Sequence, residues 1–293
     1  MCRHCVQFGD GTKWYLNPKN YSDEVIYGES TKEEMGETML GPLFGIQGTM
    51  QEIMTTAQRF KYDIGFGEHI DGVFQDLDDD MARTMREGLP PLIDKAVGGQ
   101  VVPLEDAEKI MDLNEGEIFV LPCVCRKYYG GIEHLSCMFL RPAAKPLQEN
   151  LSWETPNKMV SKEEAKEMLR KLDKEGFVHS IFWTTAPIPT MLCNCDYPYC
   201  IAIRVRLHYD IVDATRKGEY AALVDAQKCN GCGGTPKCLT KCQFGALKYS
   251  PTNAKSSVNQ FQCWGCGLCR GACPNDAITL ISREEIPQLK NIW

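Results

Sequence analysis

The sequence predicts an α+β protein, with an N-terminal helical and α/β module carrying scattered cysteines and a small C-terminal domain with a pseudo-twofold internal repeat. Three observations lead there. Eight of the sixteen cysteines fall in two runs near the C-terminus, and the residues flanking the runs repeat. Upstream, two helix-then-strand patterns each lead into a C-x-C pair. Before those, residues 36–88 carry apolar side chains at helical spacing. With 293 residues, 43% of them hydrophobic, the chain can bury a real core and hold more than one domain.

Taken in order, residues 1–35 are polar, rich in Gly, Asn, Tyr and Asp, and without helical period, so they are expected to form an irregular arm. Residues 36–99 are expected to be largely helical, ending where Pro90 and Pro91 break the chain. Their acidic run (Asp76, Asp78, Asp79, Asp80) suits a solvated helix start better than a cation site. Residues 100–221 form the α/β module. LEDAEKIMDL (104–113) is an amphipathic helix, and EIFVL (117–121) is a strand running into Cys123 and Cys125. Ser161 and Glu164 form a capping box for a second helix with an apolar stripe at Ala165, Met168, Leu169 and Leu172 and a stop at Gly176. A strand at 177–183 follows, then a proline-bearing loop to Cys193 and Cys195. The two cysteine loops are expected at one edge of the sheet. The stretch 201–212 suits a strand or a helix equally. Residues 222–282 are the C-terminal domain, and 283–293 are a tail.

The two C-terminal runs are Cys229, Cys232, Cys238, Cys242 and Cys263, Cys266, Cys269, Cys273, the last followed by Pro274. C-x2-C-x2-C-x3-C-P is the ligand spacing of a [4Fe–4S] cubane, in which three close cysteines serve one cube and the fourth reaches the other. This assigns Cys229, Cys232, Cys238 and Cys273 to one cluster, and Cys263, Cys266, Cys269 and Cys242 to a second. Val224 and Val258 stand five residues before each run, and Ala246 and Ala277 four residues after, which marks two copies of a strand–loop–short helix–strand unit. Residues 222–282 thus resemble a bacterial-type two-[4Fe–4S] ferredoxin domain, which implies a ferredoxin-like fold. Two departures stand out: GGTPK separates Cys232 from Cys238, and Gln243 takes the usual proline's place after Cys242. Gly231, Gly265 and Gly267 are expected to let the loop backbone approach the cubes. Paired zinc knuckles also use C-x2-C pairs, but they do not explain the C-x3-C-P ending.

Cys123, Cys125, Cys137, Cys193, Cys195 and Cys200 exceed the four thiols that one cluster needs. Adding Cys2 and Cys5 makes eight, enough for one or two further clusters; buried structural thiols and a zinc site rank below that reading. His4 and His134 stand near cysteines but suit ordinary packing better. Arg126 is balanced between tuning a cluster's charge and a plain surface role. The layout from residue 100 to 282 resembles multi-cluster ferredoxin-type iron–sulfur proteins of anaerobes, which implies electron transfer without naming a substrate.

A net charge of −7 and a pI near 5.4 argue against a nucleic-acid partner. No apolar segment approaches a membrane span, and so many cysteines without a leader point to metal or redox work in an anaerobe's cytoplasm. No dinucleotide fingerprint or P-loop occurs. The expected function is relay of single electrons to or from a flavin, molybdenum or tungsten oxidoreductase within a hetero-complex. Two other readings stand beside it: a catalytic iron–sulfur oxidoreductase with an open-site upstream cluster, and a redox sensor acting through Cys2 and Cys5.

Overall fold

The computed structural model describes residues 2–28, 98–123, 125–127, 132–150, 156–204, 206–207, 215–290 and 292. The helical expectation for residues 36–88, its acidic run, and half of 201–212 lie outside the described residues. Of that last stretch, Ile201–Arg204 is a helical turn.

A seven-stranded sheet organises the N-terminal module. Its strands are β1 (Gly98–Val102), β2 (Ile118–Pro122), β3 (Leu135–Phe139), β4 (Lys158–Val160), β5 (Val178–Thr185), β6 (Ile188–Cys195) and β7 (Thr215–Arg216). Their spatial order is β4-β2-β3-β6-β5-β1-β7, and every pairing is antiparallel except β1 with β7. The first cysteine pair follows the end of β2, but the second does not sit on a loop. Cys193 and Cys195 lie within β6, a central strand, because Ala186 and Pro187 turn the chain straight back into a second strand where a loop was expected.

Two amphipathic helices cover one face of the sheet. One is Leu104–Leu113, which buries Ala107, Ile110 and Met111. The other is Lys162–Glu175, which buries Ala165, Leu169 and Leu172. The second starts with the capping box of Ser161 and Glu164 and ends at Gly176 in the left-handed conformation (φ 104°). Side chains alternate along the strands, so Ile118, Val120, Met138, Ile181, Trp183 and Leu192 meet these helices. Phe119, Leu121, Cys137, Phe139 and Cys193 take the other face.

The N-terminal arm is more ordered than its composition suggests. Short helices at Arg3–Phe8 and Asp23–Tyr27 flank two 3-10 turns, and Cys2, Cys5, Trp14, Tyr15 and Tyr21 enter the helix-side core. The elements span six residues or fewer, too short for a period to show. Buried Asp106 anchors the arm: it pairs with Lys13 at 2.8 Å and accepts hydrogen bonds from Tyr15 (3.1 Å) and from Tyr220 of the C-terminal domain (3.0 Å).

In that domain β8 (Tyr220–Val224) pairs antiparallel with β11 (Ile278–Ser282), and β9 (Leu247–Ser250) with β10 (Lys255–Val258). The short helices Lys237–Lys241 and Leu268–Gly271 stand between the strands of each half. Arg270 clamps the domain to the first module through two bonds to Glu105, 2.9 and 2.6 Å long.

Candidate metal centres

Two cavities in the C-terminal domain collect the cysteines of the two runs. One is lined by Cys229, Cys232, Cys238 and Cys273. The other is lined by Cys242, Cys263, Cys266 and Cys269. Each thus takes three thiols from one run and the last thiol of the other. Backbone N–H groups point at the sulfurs: Ser256 to Cys229 (3.4 Å), Ala222 and Gly265 to Cys263 (3.3 and 3.4 Å) and Ala277 to Cys273 (3.4 Å). Such donors stabilise thiolates and tune a bound cluster. Burial raises the Cys238 thiol and pushes Cys269 up to about 12, whereas amides of Ser256 and Gly231 and the Lys255 charge outweigh burial at Cys229 and lower it. Donor type, number and cavity walls all suit two cubanes.

The loop glycines also answer a demand of the protein itself. A Cβ at Gly265 (φ 72°) would lie 2.3 Å from the carbonyl oxygen of Tyr220, and one at Gly231 would lie 2.5 Å from that of Ala254. The close approach is to neighbouring protein backbone, which seats the cysteine loops against their strands.

The six upstream thiols gather on the sheet face away from the long helices. Cys137 and Cys193 are direct cross-strand partners with sulfurs 3.7 Å apart, and the Cys123 and Cys195 sulfurs stand 3.6 Å apart. Cys200 shares the hydrophobic cluster of Cys123 and Cys195, and Cys125 packs against that cluster. Cys123, Cys125, Cys195 and Cys200 therefore form a four-thiol group, with the Cys137–Cys193 pair beside it. Cys123, Cys195 and Cys200 share a hydrophobic cluster with Trp264, Leu268, Phe244 and Cys266 of the C-terminal domain. Trp264 and Phe244 stack with centroids 4.6 Å apart and also line the second cavity.

Arg126 is not a surface residue. It is 7% exposed, ion-paired to Asp196, and its guanidinium lies over the Phe177 and Tyr199 rings at 4.5 and 4.7 Å. Its positive charge also helps to hold the Cys123 thiol well below the usual range, after the hydrogen bonds of Cys125 and Cys195. His134 instead pairs with Glu175 (3.1 Å), and His4 stacks on Trp183 (4.2 Å), its pKa lowered to about 3 chiefly by burial.

Gln243 has a structural job that a proline could not do. Its amide accepts from the Tyr197 N–H (2.7 Å) and donates to the Gly176 carbonyl (2.6 Å), tying the Cys242 loop to the Cys195–Cys200 loop. Gln243→Ala should cost about 1–3 kcal/mol, the sum of two net hydrogen bonds, with iron content unchanged; thermal loss of cluster absorbance would report it.

Residues 221–274 match the family described as "4Fe-4S dicluster domain". A stretch of 88 residues, 29% of this chain, is 31% identical to the indolepyruvate oxidoreductase subunit IorA of Pyrococcus abyssi. The chain spans 13% of that protein's length, so the likeness concerns a part of it. Together these findings support an iron–sulfur domain of the ferredoxin type in the C-terminal part of the chain. Among the described residues no helix is long and apolar enough to cross a membrane.

Cys2 and Cys5 join neither thiol group. They lie on the helix side of the sheet, where their sulfurs meet each other at 3.4 Å and Cys5 meets Glu219 at 3.0 Å. Glu219 carries no signal in the sequence, because a single glutamate in a linker belongs to no pattern.

Proposed function

We propose that this chain is an iron–sulfur electron-transfer protein or subunit with three [4Fe–4S] clusters in a row. Two are held by the C-terminal cavities through the cysteines lining them, and the third by Cys123, Cys125, Cys195 and Cys200. The clusters, when bound, supply the one-electron chemistry; the chain positions them, shields them and sets their potentials. The observation that carries the reading is the shared packing of the third thiol group with Cys266, Trp264 and Phe244, the residues that line the second cavity. The exchanged pairing, with the first strand of each half bonded to the last of the other, supports reading the C-terminal domain as two copies about a pseudo-twofold axis.

Four thiols at the upstream site leave no iron position open, which favours relay over catalysis in this chain. The cysteine count had allowed a fourth cluster, but Cys2 and Cys5 face a carboxylate and not further thiols, which favours three. The partner is a two-electron oxidoreductase using flavin, molybdenum or tungsten, docked in a cytoplasmic hetero-complex. The name of the partial relative, an oxidoreductase subunit, is consistent with such a setting.

Iron and acid-labile sulfide, measured on protein purified without oxygen, should come to about twelve of each per chain. About eight would remove the upstream cluster from the relay. Arg126→Gln should make the upstream cluster's potential more negative, since a buried positive charge favours the reduced, more negative state. A titration followed by electron paramagnetic resonance would resolve it, and an unchanged upstream potential would separate Arg126 from that site.

A further inference from the structure

We infer that Cys2, Cys5 and Glu219 form a mononuclear site for a divalent d10-type cation, zinc by its ligand set, separate from the iron–sulfur relay. Among the described residues this is the one group of three or more His, Cys, Asp or Glu ligand atoms that all lie within 4.8 Å of one another. All three residues are buried, at 1%, 1% and 3% exposure. A tetrahedral zinc with Zn–S near 2.3 Å and Zn–O near 2.1 Å holds its sulfurs about 3.8 Å apart and sulfur from oxygen by about 3.5 Å. The present spacings of 3.4 and 3.0 Å need to open by only about 0.5 Å. A cubane, by contrast, takes four cysteines, and only two are here.

The surroundings are organised as ligands' supports. Gln100 donates to Glu219 Oε1 at 2.9 Å and is itself fixed by Trp14, whose indole N–H donates to Gln100 Oε1 at 2.7 Å. The Trp14 backbone N–H points at Cys5 Sγ (3.4 Å) and the Cys5 N–H at Cys2 Sγ (3.4 Å), while the Cys2 N–H reaches both Glu219 oxygens at 3.3 Å. Such outer contacts orient first ligands and hold their charge. Gln100 Oε1 also lies 3.8 Å from Cys2 Sγ. On binding, two thiol protons leave and two metal–sulfur bonds form, with no change in oxidation state. The cation would join residues 2 and 5 to residue 219 at the head of β8, clasping the arm to the seam between the two modules.

The test uses the full chain, purified without oxygen with its clusters in place and then passed over a chelating resin. Zinc analysis should give about one equivalent per chain, and zinc X-ray absorption a shell of two sulfurs with lighter oxygen or nitrogen atoms. Cys5→Ser should remove the zinc, and Glu219→Gln should weaken its retention about tenfold or more, with iron per chain unchanged in both. The absorption shell is read on the unaltered protein, so it holds even where a variant folds poorly. Absence of zinc, zinc retained in Cys5→Ser, or a shell of four sulfurs would each overturn the site. The last result would place the metal at the Cys123 group and overturn the third cluster as well.

Discussion

Cys242→Ser is expected to damage the cluster of the other run. Cys242 follows Cys238 by four residues, yet it lines the cavity of Cys263, Cys266 and Cys269, while Cys273 crosses the opposite way. Serine at position 242 should release between one and about four irons per chain, depending on whether a cube survives on three thiolates. Mapping by alkylation and mass spectrometry gives the address. Cys263, Cys266 and Cys269 should become reactive, while Cys229, Cys232 and Cys238 stay protected. Cys273→Ser should give the mirror pattern. If Cys242→Ser exposes its own run instead, the crossed arrangement is wrong.

The second large effect concerns backbone. Gly265→Ala should destabilise the domain by about 3 kcal/mol or more, because it combines a left-handed φ of 72° with a methyl group 2.3 Å from the Tyr220 carbonyl oxygen. No flexible side chain is available to yield there, so β8 and the loop must part. Gly233→Ala is the control. Its φ of 66° is equally left-handed, but a Cβ there meets nothing within 4 Å, and the cost should stay near 1 kcal/mol. The rate of visible bleaching on heating would rank the variants. Equal behaviour of the two would mean that backbone conformation alone, and not the contact with Tyr220, sets the requirement at Gly265.

Much of the fold was legible where a pattern is local. The helix at Leu104–Leu113 was placed to the residue, since its apolar spacing is unbroken and the strand that follows is short and apolar. The helix at Lys162–Glu175 announced both ends through Ser161, Glu164 and Gly176. What stayed hidden depends on pairing between distant segments. β3 is five residues long, and Pro189 obscures β6, so neither showed as a strand, and with them went the antiparallel order of the sheet. Hence the Cys137–Cys193 pairing was out of reach, although the alternation that puts Cys193 and Cys195 on one face was implicit in C-x-C. Gln243 stands out in the sequence as a departure, but its bonds to Tyr197 and Gly176 join segments that only the fold brings together.

The pairing of β8 with β11 has a consequence for biogenesis. A ribosome delivers Cys229, Cys232 and Cys238 well before Cys273, and the strand that closes the domain emerges later still. A chain stopped after Pro274 would own all eight cysteines of the two runs and still leave β8 without its partner. Iron delivered during synthesis would meet a half-built cradle, open to water and to oxygen. Loading therefore belongs after β11 has emerged and paired with β8, and whatever protects these thiols until then must let go only when that strand has docked.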